Sequence, residues 1–251
     1  MTTAASHAEK PRAPRVWLAL LAAAVVFAAL IGLGTWQVER LQWKEALIAS
    51  IAERTSAAPR PLAEIETRFR DTGDVEYWPV TVAGTFLNDK ERHFFATWQG
   101  QSGYYVYAPL ALDDGRAVLV NRGFVPFELK ESTKRAQGLI AGRVTVTGLA
   151  RNPLAGKPSF IVPDNDIAKN IFYWKDRDRM AESAGLPTGD RLVPFFIDAG
   201  PGVAPGGWPV GGVTIVDLPN NHLQYVVTWY GLAAALVGVV IAWWLRVRRA
   251  P

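Results

Sequence analysis

Two stretches of the chain carry no charged side chain, residues 16–33 and residues 225–245. Each approaches the roughly 20 apolar residues that cross about 30 Å of hydrocarbon as a helix, so each predicts a transmembrane helix. The first is longer than the apolar core of a cleaved signal and predicts an uncleaved anchor. Trp17 and Trp36 flank the first stretch, and Tyr225, Trp229, Trp243 and Trp244 the second, as rings with an apolar body and a polar edge do at a membrane interface. "TWQVERLQWKEALIASIAER" extends the first helix, because Trp36, Arg40, Trp43, Leu47 and Ile51 recur every three or four residues with charges between them. The two prolines of "SAAPRPLAEIE" end it.

Beyond the prolines the pattern changes to short runs rich in Val, Thr, Tyr and Phe. "WPVTVAGTFL", "RHFFATWQ", "GYYVYAPLAL", "RAVLVNRGFVP" and "GRVTVTGLA" are separated by Asn-Asp, Gln-Gly and Asp-Asp-Gly, which predicts antiparallel strands joined by hairpins. "DIAKNIFYWKDRDRMAESAGL" has helical spacing and ends on Gly185, while "VPFFID" and "GVTIVDL" return to strand. The predicted fold class is a membrane protein: two transmembrane helices flanking a β-rich α+β domain, an antiparallel barrel or sandwich. The expected boundaries are a basic tail at 1–15, helices at 16–36 and 225–245, the outer domain with its membrane-proximal helix at 37–224, and a second basic tail at 246–251. Ala28 and Gly32, and Ala234, Gly238 and Ala242, form small-residue faces on which the spans, or a partner protein, can approach closely.

Charge fixes the orientation. Lys10, Arg12 and Arg15 precede the first span and Arg246, Arg248 and Arg249 follow the second, so both termini are expected in the cytoplasm and the middle in a periplasm-like space. Of a formal net charge of +4, the tails carry +2 and +3, which leaves the middle at −1. A nearly neutral domain is a poor polyanion binder, so nucleic acid is not expected as a partner; membrane lipid beside the basic tails is. The chain has no cysteine, and its two methionines are Met1 and Met180. A disulfide framework, covalent haem attachment and a thiolate or methionine copper site are thereby excluded.

Familiar catalytic constellations are missing, so no enzyme activity and no catalytic residue is expected. The three histidines stand at His7 in the tail, His93 in a predicted strand and His222 before the second span, without a Gly-x-Ser-x-Gly elbow or a His-Glu-x-x-His helix. "AGPGVAPGGWPVGG" lacks the Lys-Ser/Thr of a phosphate loop and reads as a flexible connection between strands. In "VLVNRGFVP", Arg122 either grips a carboxylate ligand or pairs with a local acid beside a turn at Gly123. His222, Tyr225, Val226 and Trp229 share one helical face, wet at one end and apolar at the other. That gradient suits a planar amphipathic ligand with an apolar ring and tail, acidic groups and an iron that takes a nitrogen donor. Arg40 stands where it can meet the acids. The alternative is an interfacial histidine bonded to headgroups or to a neighbouring loop.

"GTWQVERLQWK", "LVNRGFVP" and "NNHLQYVVTWYGLA" resemble, in order and separation, the Surfeit locus protein 1 family, with "VAGTFLNDKE", "GYYVYAPL" and "VTVTGLARNP" extending the resemblance over most of the chain. The resemblance implies an assembly factor for haem-copper terminal oxidases that helps haem a reach subunit I, with His222 at the position of a haem a contact and metal ligand. Trp36, Tyr225 and Trp229 are then expected against the ring and Arg40 on the propionates. Gly34, Gln37, Asn121, Arg122 and Gly123 match family motifs without an assigned role, and Phe124 stands where the family more commonly has tryptophan. Implied partners are oxidase subunit I, assembly intermediates and haem a synthase. The short N-terminal tail favours a bacterial inner membrane. The competing expectation is a scaffold that stabilises an assembly intermediate without touching haem; a membrane-anchored enzyme is a weaker third.

Overall fold

A computed structural model describes residues 13–202 and 204–249 of the chain. The basic tail expected at the N-terminus, with His7, Lys10 and Arg12, lies outside the described residues, as does the side chain of Arg15. The chain divides into two compact units, residues up to Ala49 together with those from Asp217 onward, and Ser50–Val216.

The first unit is built from helix α1 (Ala13–Ser56), which continues into the second unit, and helix α4 (His222–Arg249). Both are long and apolar enough to cross a membrane. Leu20, Ala23, Leu30, Gly34, Gln37 and Leu41 on α1, and His222, Val226, Trp229, Ala233, Leu236 and Val240 on α4, are buried or half-buried while most of their neighbours are exposed. Their spacing alternates mostly between three and four, the period that lets two helices interlock along a left-handed seam. The closest approach comes at Gly34, where a Cβ would stand 2.6 Å from Cε1 of Tyr230. Thr35 and Tyr230 join their hydroxyls at 3.2 Å on one flank.

The small-residue faces expected to join the spans point elsewhere: Ala28, Gly32, Ala234, Gly238 and Ala242 are exposed, and a Cβ on Gly32 or Gly238 would meet nothing within 4 Å. The reason is shape. Large seam residues interdigitate, and the single hole at Gly34 admits the Tyr230 ring, which a row of small residues cannot grip as closely.

The second unit is a small β-barrel. Its strands are β1 (Arg60–Pro61), β2 (Pro79–Phe86), β3 (Arg92–Trp98), β4 (Gln101–Leu112), β5 (Ala117–Pro126), β6 (Arg143–Arg151) and β7 (Phe196–Ala199), in the order β1-β2-β6-β7-β5-β4-β3. Pairing of Gly84–Phe86 with Leu110–Leu112 brings β2 back onto β4, so β2, β6, β7, β5 and β4 close on themselves. The expected hairpins form at Gln99-Gly100 and Asp113–Gly115. β5 and β7 run parallel, with Val120 opposite Ile197 and Asn121 opposite Asp198, in an otherwise mainly antiparallel barrel.

The barrel core gathers Val80, Val82, Leu110, Val118, Val120, Val146, Phe195 and Ile197. A second cluster on the other face holds Tyr107, Leu119, Phe172, Met180 and Phe196. β5 is buried at all ten positions because both its faces are covered, which is why "AVLV" is a continuous apolar run rather than an alternating one. Each fully buried Val, Leu, Ile or Phe contributes roughly 1.5–3 kcal/mol, so this domain holds together without disulfides.

Several local expectations are corrected. Helix α2 (Leu62–Thr72) starts immediately after the prolines read as a break, and Leu62 and Ile65 bury their side chains in the barrel core. The helix expected over 166–185 is limited to α3 (Arg177–Ser183). Before it, Phe172 forms a bridge beside Phe94 of β3 and Asn170 takes a positive φ of 52°. "GVTIVDL" forms no strand. β5, β6 and β7 each already have a neighbour on both sides, and the segment is held instead by buried Val213 and by Thr214 Oγ1, which donates to Asp198 at 2.8 Å.

Candidate functional site

α4 begins at His222 itself, whose backbone N–H donates to Asn220 Oδ1 at 3.3 Å. The amides before the apolar run are therefore part of the helix start, since a side-chain oxygen satisfies an N–H that the first turn leaves free. Starting there aims the imidazole into the seam. His222 Nδ1 lies 2.7 Å from Oε1 of Gln37, a side chain only 8% exposed. An amide oxygen can only accept, so Nδ1 carries the proton and the lone pair of a neutral imidazole sits on Nε2. Donation from Nδ1 to a neighbouring oxygen is the arrangement that orients metal-binding histidines and raises the basicity of the other nitrogen.

Around this pair the structure sorts the expected residues. Trp229 shares the seam with His222, and its Nε1 is buried without a partner among the described residues. Tyr225 is at the edge of the same face and 51% exposed. Trp36, 54% exposed, and Arg40 lie on a flank of α1 away from Gly34 and Gln37, and the Arg40 guanidinium stacks 3.9 Å from the ring centroid of Trp43. His222, Gln37 and Trp229 thus converge on the seam, while Trp36 and Arg40 do not join them. Among the described residues no three His, Cys, Asp or Glu side chains cluster to hold a metal ion. A bare ion has no cage here, whereas a lone imidazole suffices for a metal that brings its own equatorial ligands.

The second histidine makes the opposite arrangement. His93 on β3 is 5% exposed, and its Nδ1 faces the amide nitrogen of Asn170 at 3.0 Å, which also donates to the carbonyl of Glu91 at 2.9 Å. Here Nδ1 accepts, and the protonated Nε2 is buried without a partner. Burial pushes the imidazole down to about 3, aided by the nearby charges of Arg135, Lys130 and Arg92 and opposed by the Lys130 carbonyl. It stays neutral and enclosed, a core residue with no lone pair to offer.

Asn121, Arg122 and Gly123 form a node inside the barrel domain. Asn121 donates to Asp198 Oδ1 and accepts from the N–H of Gly123, both at 3.0 Å. Gly123 has φ 123°, and any Cβ there would collide with the backbone of Val210. Arg122 is buried over the ring of Phe86, donates to the Gly138 carbonyl at 2.6 Å and stands 3.7 Å from Glu91. Glu91 also takes a bidentate pair from buried Arg135, at 2.5 and 3.2 Å. The arginine is thus committed to a local acid. The segment read as slack between strands is likewise engaged: Phe124 and Val210 exchange backbone hydrogen bonds, and Trp208 presents its carbonyl against Gly138.

The model of the SURF1 family matches residues 24–234, from within the first span to within the second. The chain belongs to the SURF1 family. Its relatives include Surfeit locus protein 1 of Rattus norvegicus, 37% identical over 94% of this chain and 76% of the relative, and that of Homo sapiens, 38% identical over 87% and 74%. The SURF1-like protein of Monosiga brevicollis is 36% identical over 99% of this chain and 93% of its own length. As a SURF1 family member the chain carries both the helical seam and the barrel within the matched region. Sequence reasoning grouped Gln37 with motif residues of no assigned role. The signal that could have singled it out is its position three residues after Gly34, on the row facing α4.

Proposed function

We propose that this protein assists assembly of a haem-copper terminal oxidase by holding haem a at the outer edge of the membrane, with Nε2 of His222 on the iron, and releasing it to oxidase subunit I. The observation that carries the reading is the 2.7 Å contact between His222 Nδ1 and Gln37 Oε1, which leaves the lone pair on Nε2. Haem a is cargo here and supplies its own four equatorial nitrogens, so a single imidazole completes the protein's share. Trp229 and Tyr225 offer apolar surface for the ring and Trp36 a second aromatic at the interface. Arg40 is the cation for the propionates, and its exposed stack on Trp43 is an arrangement it can leave at little cost. One axial bond at an exposed interface allows release, because exchange between carriers is governed by the dissociation rate.

In this reading the protein sits in a bacterial inner membrane, with Arg246, Arg248 and Arg249 at the cytoplasmic end of α4 and the barrel domain in the periplasm. The barrel docks on subunit I or an assembly intermediate, and haem a synthase is the source of the cargo. Oxidase purified from a strain lacking the protein is expected to be short of haem a, restored by the wild-type gene and not by His222→Ala. Oxidase with full haem content but reduced yield would overturn the reading. That result would favour the scaffold, a reading supported by the small-residue faces of α1 and α4 that lie open to a partner.

A further inference from the structure

The helical seam does not close evenly along its length. Between Leu20, Ala23, Ala24 and Phe27 on α1 and Leu236, Val237, Val240 and Ile241 on α4 lies a groove of about 230 Å³. Every lining side chain is hydrocarbon. Leu20, Ala23, Phe27, Leu236 and Val240 keep the spacing of the seam, whereas Ala24, Val237 and Ile241 lie to one side of it. Helical spacing identifies that side: Tyr230, Val237 and Ile241 form one stripe on α4, and Thr35, Ile31 and Ala24 the matching stripe on α1. The groove therefore opens on the flank marked by the Thr35–Tyr230 hydrogen bond, and it continues the surface that starts at His222 and Gln37.

We infer that this groove is the berth of the isoprenoid tail of the cargo, so that the protein selects a tailed haem over a tail-less one. The inference rests on the haem-carrier reading above and deepens it. Size supports a chain over a ring, since 230 Å³ falls below the roughly 300–1,000 Å³ usual for compact small-molecule sites. Reach supports it too. At 1.5 Å per residue the groove lies roughly 15–25 Å from Gln37 along α1 and roughly 20–30 Å from His222 along α4. With carbon–carbon bonds of about 1.5 Å, half a porphyrin and an extended farnesyl chain together reach on the order of 20 Å. The cargo chemistry thus matches the protein in order: metal donor at the polar end, aromatic side chains next, and a hydrocarbon channel deeper in the span.

The gain from such a berth is modest by its physics. Lipid tails solvate an isoprenoid as well as Leu or Val does, so the groove adds packing and direction rather than hydrophobic transfer. A preference of about tenfold for the tailed haem is expected, equivalent to roughly 1.4 kcal/mol.

The test titrates the full chain in lipid nanodiscs with haem o, which carries the farnesyl tail, and with protohaem, which does not. Wild type is compared with Ala24→Phe and Ala23→Leu, which fill the groove from its open side and its floor. The expected result is about tenfold tighter binding of haem o by wild type, lost in both variants while protohaem affinity is unchanged. Unchanged protohaem binding also shows that the helix pair has folded around His222. Equal affinity of wild type for the two haems, or weakening of both haems alike in both variants, overturns the inference. A preference for haem o that survives filling also overturns it, and would leave the groove to a lipid acyl chain. Failure of wild type to bind either haem sinks the carrier reading itself, a distinct outcome.

Discussion

His93 makes stability depend on pH in a way that can be worked out beforehand. The imidazole is held at about 3 by burial, whereas in the unfolded chain it titrates near 6.5. Between those values the unfolded state binds a proton that the folded state refuses, so stability is lost as pH falls through the unfolded value, and the loss ends only near pH 3. Each pH unit below about 6.5 costs roughly 1.4 kcal/mol, so acidification from pH 7 to pH 5 removes about 2 kcal/mol. The figure is set by the unfolded value, because pH 5 lies well above the folded one. Against a total of about 5–15 kcal/mol for a typical domain the loss is large. Urea unfolding of the full chain in detergent, followed by tryptophan fluorescence at pH 7 and pH 5, measures it. His93→Gln keeps an acceptor for Asn170 and carries no titrating group, so its loss over the same interval should be smaller by about 2 kcal/mol. Equal losses in wild type and variant would refute the burial argument.

Other outcomes follow from the same structure. Glu91→Gln leaves the guanidiniums of Arg122 and Arg135 buried without their carboxylate and should cost about 3–5 kcal/mol in urea unfolding; a Glu91→Leu/Arg135→Met double variant should recover most of that. Gly123→Ala forces a side chain into a φ of 123° and against Val210. A loss of at least about 2 kcal/mol is expected in the same assay, with His222 chemistry unaffected. Gly34→Val drives side-chain atoms into the Tyr230 ring and should part the helices; in the chain with Gln37→Cys and His222→Cys, cross-linking by a short bismaleimide should then fall several-fold.

What the sequence made legible was whatever depends on local pattern. The uncharged runs placed both membrane helices, and β-branched and aromatic runs between Asn, Asp and Gly placed β2 to β6. Interactions between distant segments were hidden. α2 was obscured by Pro61, although Leu62, Ile65 and Phe69 already have helical spacing. "GVTIVDL" looked like a strand because propensity says nothing about whether a sheet edge is open to receive it. The small-residue faces were read as a seam, since sequence alone does not show that one glycine opposite one tyrosine offers a better fit. At the site, His222 stood out by its chemistry. Its link to Gln37 spans 185 residues, and Arg122 looked free because Glu91 and Gly138 meet it only through the barrel.

The central claim is that Nε2 of His222 is the bond by which cargo iron is held. Resonance Raman spectroscopy of the protein isolated from cells that make haem a tests it most directly, comparing wild type, His222→Gly, and His222→Gly supplied with free imidazole. The account predicts an iron–imidazole stretch in wild type, its loss in the glycine variant, and its return with added imidazole. An iron–imidazole stretch that persists unchanged in His222→Gly without added imidazole would contradict it.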